Sequence, residues 1–205
     1  KLSQDRKEKY SDYTVEQTMQ GLIIPLVEAI LARDPEVKTV VNTAVRYAFA
    51  DYELAVRHPE IQFTGISFAL DIADYNDQFQ AQNMSYVSGY ALDLLESGAV
   101  RGDIVIFSST AAAIRNREVR RYLRALSQTA KYVVLNEPIF NHRQDYRPID
   151  PDTVPLDTSA PAHEYVVCYI HNYRAMVEEA GFKVLHYRLF PEPRGSFMNL
   201  GKILS

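Results

Sequence analysis

Apolar positions along the chain switch between two periods. Short β-branched runs alternate with stretches in which Leu, Ile and Val recur every three to four residues. The helical period predicts an opening helix over 15–32, with Leu22, Leu26 and Ile30 on one face and Pro25 as a point of break or kink. Asp34-Pro35-Glu36 reads as a turn, and VKTVVN (37–42) as a buried strand. Helix 49–57 ends at His58-Pro59, strand 61–67 follows, then helix 69–83 and strand 84–90. GDIVIFSST (102–110) is the clearest strand, and it leads into helix 116–130 and strand 131–138. A helix over 163–182 closes at Gly181. Runs 183–190 and 196–204 flank PEPRG and predict a terminal antiparallel hairpin.

Strands that alternate with helices imply a mostly parallel sheet covered on both faces. Ligands of such sheets bind beyond the carboxyl ends of the strands, where the strand order reverses. That rule puts residues 42–48, Ser67, Tyr90 and 108–110 along one rim. The whole chain, 1–205, reads as one domain with an N-terminal helical segment over 1–36. Five of its ten prolines lie between Pro138 and Pro161. They define a Pro-rich loop over 138–163, long enough to act as a lid.

Composition narrows the partners. The formal charge of −4 offers no basic stripe for nucleic acid. No apolar run approaches the ~20 residues of a membrane span. The lone cysteine, Cys168, sits among Val166, Val167, Tyr169 and Ile170 and reads as an inert buried thiol. One cysteine excludes an internal disulfide and a thiolate metal cluster, and no HExxH spacing occurs, so no metal site is expected. A cytoplasmic protein with a small-molecule ligand is expected. Oligomer formation is open, and the 14 tyrosines could serve it or an aromatic pocket.

The stretches RHPEIQFTGISFALDI, YVSGYALDLLESG, GDIVIFSST, AKYVVLNEPI and HNYRAMVEEAGFKVLHYR, in this order, resemble the class I S-adenosylmethionine-dependent methyltransferases. The resemblance spans nearly all of residues 15–204. It implies an α/β fold: a Rossmann-like three-layer sandwich with a seven-stranded, mostly parallel sheet ending in an antiparallel hairpin. It also implies S-adenosylmethionine as cofactor and methyl transfer to a small molecule. In that family an acidic residue ends the first strand, and three alternating glycines follow. Here VVNTAVRYA (40–48) puts Asn42 in the acidic place and Ala44, Arg46 and Ala48 in the glycine places. Ser67 stands where a carboxylate meets the ribose, and Tyr90, followed by Ala91, where an acidic residue meets the adenine amine. Ser108 completes the implied cofactor set.

These replacements change the chemistry. Glycine permits positive φ and close approach of a ligand, which alanine hinders. Arg46 reads equally as a surface arginine at a helix start and as a pocket cation that would oppose a sulfonium and attract an anion. Asn42 and Ser67 offer neutral hydrogen bonds where charged ones are about twice as strong. Ser109, Glu137, His142 and Tyr146 are weaker substrate candidates, each with an alternative as a turn, cap or solvated residue. His171-Asn172-Tyr173 reads as a helix cap before it reads as pocket lining. Two functions compete: a methyltransferase with an altered cofactor loop, and a non-catalytic binding or regulatory protein that keeps the fold.

Overall fold

In the computed structural model, the described residues are 22–43, 45, 48–67, 80–108, 110–111, 114–137 and 171–187. They form five helices and five strands. In chain order these are α1 (Ile23–Arg33), β1 (Thr39–Asn42), α2 (Phe49–Arg57), β2 (Gln62–Ser67), β3 (Met84–Ser88), α3 (Ala91–Glu96), β4 (Ile104–Ser108), α4 (Asn116–Ser127), β5 (Tyr132–Asn136) and α5 (Tyr173–Glu179).

All described strand pairs are parallel, in the order β3-β2-β1-β4-β5. Val41 therefore faces Thr64 on one side and Val105 on the other. The central strands are short, β-branched and buried on both faces, as a covered parallel sheet requires. One face packs on α1 and α2 through Ile24, Val27, Val40, Leu54, Phe63 and Ile104. The other packs on α3, α4 and α5 through Val41, Ile66, Leu92, Phe107, Leu123 and Met176. The expected three layers are present.

The sheet has five described strands in place of the expected seven. Lys183–Tyr187 forms no strand, though it carries Val184, Leu185 and Tyr187, and Leu185 and Tyr187 are about half exposed. A pleat pattern needs a bonded partner to become a strand. The expected partner run, 196–204, lies outside the described residues, so no antiparallel hairpin is seen among them.

Other boundaries shift for local reasons. Pro25 breaks nothing, because it lies in the first turn of α1, where its missing N–H has no intrahelical partner to lose. The helix expected over 163–182 does not run through His171-Asn172. Asn172 caps α5 by accepting the Ala175 N–H at 3.2 Å. Gly181 ends that turn at φ +93°, a conformation that favours glycine. Residues 80–83 are turn, not helix, and 69–79 lie outside the described residues. The Asn83 amide nitrogen is shared among the carbonyls of Ala55, His58 and Ile61 at 3.0, 3.0 and 2.7 Å. It joins the end of α2 to the start of β3. Helix α3 went unpredicted.

The amino-terminal edge of the sheet is held by Asp103. Its Oδ2 accepts the N–H groups of Lys38 and Thr39 and the Thr39 hydroxyl at 2.8–3.0 Å. At the other edge, Gly65 has no room for a side chain. A Cβ there would stand 2.6 Å from Val45 Cγ2 and 2.8 Å from the Tyr86 ring.

Asn83→Ala should lower unfolding free energy by about 2 kcal/mol, because buried carbonyls lose their donor. Urea denaturation measures it. A change within experimental error would show that Asn83 does not join α2 to β3.

Candidate functional site

Parallel strands bring all five carboxyl ends to one edge. Strand order reverses between β1 and β4, so the crevice opens beyond Asn42 and Ser108. Six polar residues among those described are buried, and five of them gather at this edge: Asn42, Thr43, Asp51, Ser67 and His171. Asn83, at the opposite edge, is the sixth.

The chain leaving β1 is tied to both neighbours. Thr43 donates its N–H and its hydroxyl to the Ile106 carbonyl of β4, each at 3.0 Å. Val45 donates its N–H to the Ile66 carbonyl of β2 at 2.9 Å. The start of the loop thus crosses the sheet rather than leaving it. Ala44 and Arg46 lie outside the described residues. Ala48 is buried and precedes α2.

Asn42 is 5% exposed, and its Nδ2 donates to both carboxyl oxygens of Asp51, at 3.1 and 2.9 Å. Asp51 is 4% exposed in the first turn of α2. Burial pushes its carboxyl up from the ordinary 3.8 to about 7, against the lowering effect of the Asn42 bond and a backbone N–H. Sequence patterning missed Asp51. The signal was present: it shares the apolar face of α2 with Leu54 and Ala55, at i+3 and i+4.

The other predicted residues take definite places. Ser67 is buried at the end of β2, and its carbonyl accepts the Gly89 N–H at 3.1 Å. Tyr90 caps the start of α3, with its ring edge-on to Tyr122 at 6.1 Å between centroids. Burial, and then the nearby Glu118 charge, push the Tyr90 phenol up. Ala91 is buried in the first turn of α3. Ser108 is partly buried, with the Asn136 amide 3.5 Å from its hydroxyl. Ser109, His142 and Tyr146 lie outside the described residues.

Glu137 is not a bare turn residue. Its Oε1 accepts the N–H groups of Thr110 and Ala111 at 2.9 and 3.0 Å. His171 holds the same loop from the other side. Its Nε2 lies 2.9 Å from the Ala111 carbonyl and 3.0 Å from that of Ile114. Carbonyl oxygens only accept, so Nε2 carries the proton. The segment after β4 is therefore pinned by side chains from the end of β5 and the start of α5.

No group of three or more His, Cys, Asp or Glu among the described residues could hold a metal ion. None of the described helices is long and apolar enough to cross a membrane. A shallow groove of about 310 Å³ between α3 and α4 is lined by Glu96, Arg121, Arg124 and Thr129. It lies at the carboxyl ends of those helices, on the edge of the sheet away from the site. Arg121 is engaged there with Glu96 at 2.7 Å.

No protein-family profile matches the sequence, and no curated protein does. Solved structures do match its fold. The N-terminal domain of EvdMO1, with SAH bound, superposes with TM-score 0.57 at 16% identity, over 84% of this chain and 76% of that one. An O-methyltransferase family protein from Burkholderia thailandensis gives 0.55 at 16% identity, over 83% of this chain and 54% of its own. A putative O-methyltransferase from Nostoc punctiforme PCC 73102 gives 0.53 at 19% identity, over 81% and 50%. The chain thus spans about half the length of the latter two. The fold is the Rossmann-like fold of these methyltransferases.

The Asp51 carboxyl sets a pH dependence. Between about pH 4 and pH 7 the unfolded chain has released this proton and the folded chain has kept it. The folded state binds more protons, so stability falls as pH rises through that window. Asp51→Asn should flatten this slope and be more stable than the parent at pH 8. Thermal melts from pH 4.5 to 8 test it, and parallel curves for the two proteins would refute it.

Proposed function

We propose that the chain binds S-adenosylmethionine beyond the carboxyl ends of β1, β2 and β4 and transfers its methyl group to a small molecule. The observation that carries this reading is the gathering of Asn42, Thr43, Asp51, Ser67 and His171, all buried, at the edge where strand order reverses. Buried polar groups are costly away from water, and five at one edge point to a site rather than to packing. The methyltransferase fold supports the same reading, and one structure of that fold holds SAH.

The donor set suits this ligand. Asn42 stands at the end of β1 with its amide on the Asp51 carboxyl. Ser67 offers a hydroxyl at the end of β2, and Tyr90 and Ala91 form the turn after β3. Ser108 stands across the crevice. When bound, the cofactor supplies a methyl group on a sulfonium, a good leaving group. The chain has then to align the acceptor and exclude water. Glu137 and His171 hold the segment after β4 at fixed height over the sheet. The absence of a basic stripe in a chain of net charge −4 favours a small acceptor over nucleic acid.

Calorimetric titration with S-adenosylhomocysteine tests the reading. A dissociation constant below about 100 μM, or ~5.5 kcal/mol, is expected. Ser67→Ala should weaken it severalfold and leave the melting temperature within a few degrees. No heat at several temperatures would overturn the reading in favour of a non-catalytic binding or regulatory protein.

A further inference from the structure

Charge is spread unevenly along this chain. Five arginines fall between positions 115 and 124, against one acidic residue, Glu118, and no lysine, although the net charge is −4. The apolar stripe of α4 is buried against the sheet, so these arginines take the outer half of the helix. Arg117, Arg121 and Arg124 are exposed and stand at i, i+4 and i+7. That spacing puts them in one row, within about 60° of arc and ~10 Å of length.

Two arginines show how this helix treats carboxylates. Arg121 donates from Nε and Nη2 to the two oxygens of Glu96 on α3, at 2.7 and 2.5 Å. Arg120 pairs with Glu179 on α5. Each ties α4 to a neighbouring helix. Among the described residues, no carboxylate pairs with Arg117 or Arg124. A guanidinium matches a carboxylate two bonds at a time, which an ammonium cannot do. Beside the row runs the groove between α3 and α4, where Leu95 and Ala125 join Arg121 and Arg124 in the lining.

We propose that the outer face of α4 is a docking surface for an acidic helix of a partner protein. Carboxylates two turns apart on such a helix meet Arg117 and Arg124, and an apolar side chain between them enters the groove. The rest of this chain is acidic and repels the same partner, which orients it onto α4. A phosphate backbone fits this face poorly, because the row is short and Glu96, Glu118 and Glu179 interrupt it. A lipid surface has nothing apolar to receive there. The large apolar residues exposed among those described are Val56, Leu185 and Tyr187, none of them on α4. The inference goes beyond the cofactor reading and does not depend on it.

The test is fluorescence anisotropy of the full chain with two labelled synthetic helical peptides. One carries Glu at i and i+7 with Leu at i+3 and i+4, and the other has the same composition with that spacing scrambled. The parent protein should bind the patterned peptide about tenfold more tightly than the scrambled one, and added salt should weaken it. Arg117→Glu/Arg124→Glu should lose this preference while its melting temperature stays within a few degrees. That variant should instead bind the patterned peptide with Lys in place of Glu. Arg117→Gln/Arg124→Gln, which removes the charge without reversing it, should also lose the preference. Arg33→Glu/Lys38→Glu makes the same change of charge at the end of α1 and before β1, and should leave it intact. Equal binding of the two peptides, or no binding of the patterned one, overturns the inference. An equal loss in the Arg33/Lys38 variant also overturns it, since the effect would then be one of net charge. Binding of an RNA duplex through Arg117 and Arg124 in preference to the patterned peptide overturns it as well and assigns the face to a polyanion.

Discussion

The parallel pairing of β1 with β4 is the constraint on which the rest depends. The chain goes outward from β1 through β2 to β3, then returns across the sheet to β4 and β5. Only that reversal leaves two loops diverging from neighbouring strands. The registers Val41 to Val105 and Asn42 to Ile106 fix where the crevice begins. Thr43 prolongs the pairing by one residue with two bonds to Ile106, and Val45 then leans on Ile66 of the other neighbour. Gly65 makes this possible, because any side chain there would meet Val45 and Tyr86.

Around that crevice the protein places polar groups where burial makes them costly. Their bonds explain how the cost is met. Thr43 is satisfied by a strand carbonyl, His171 by two loop carbonyls, and Asn42 by Asp51. Asp51 is the carboxyl among them, and burial holds it protonated up to about pH 7.

Much of the fold was legible in the sequence. β1, β2, β4 and β5 appear as β-branched runs because a parallel sheet covered on both faces must be apolar throughout. Helix α4 was legible from its apolar stripe of Val119, Tyr122, Leu123 and Leu126. Helix α3 was not, since six residues give less than two turns of period. The start of α5 after His171-Asn172 was hidden because the apolar pattern continues across those residues, and only the Asn cap marks it. Residues 183–187 show that apolar content alone does not make a strand, since an extended segment needs a bonded partner. At the site, the rim positions of Asn42, Ser67, Tyr90 and Ser108 followed from topology. The roles of Asp51, Glu137 and His171 did not, because each depends on a partner distant in sequence or on a face shared across a turn. The loop residues Ala44 and Arg46, on which the sequence reading turned, lie outside the described residues.

Hydrogen–deuterium exchange with and without S-adenosylmethionine tests the central claim most directly, because it locates a ligand without assuming an activity. The account predicts slower exchange at the amides of residues 43–45, 67, 89–91 and 108–111, with no change in the groove between α3 and α4. Protection confined to that groove, or no protection at any concentration up to about 1 mM, a free energy near 4 kcal/mol, would contradict it.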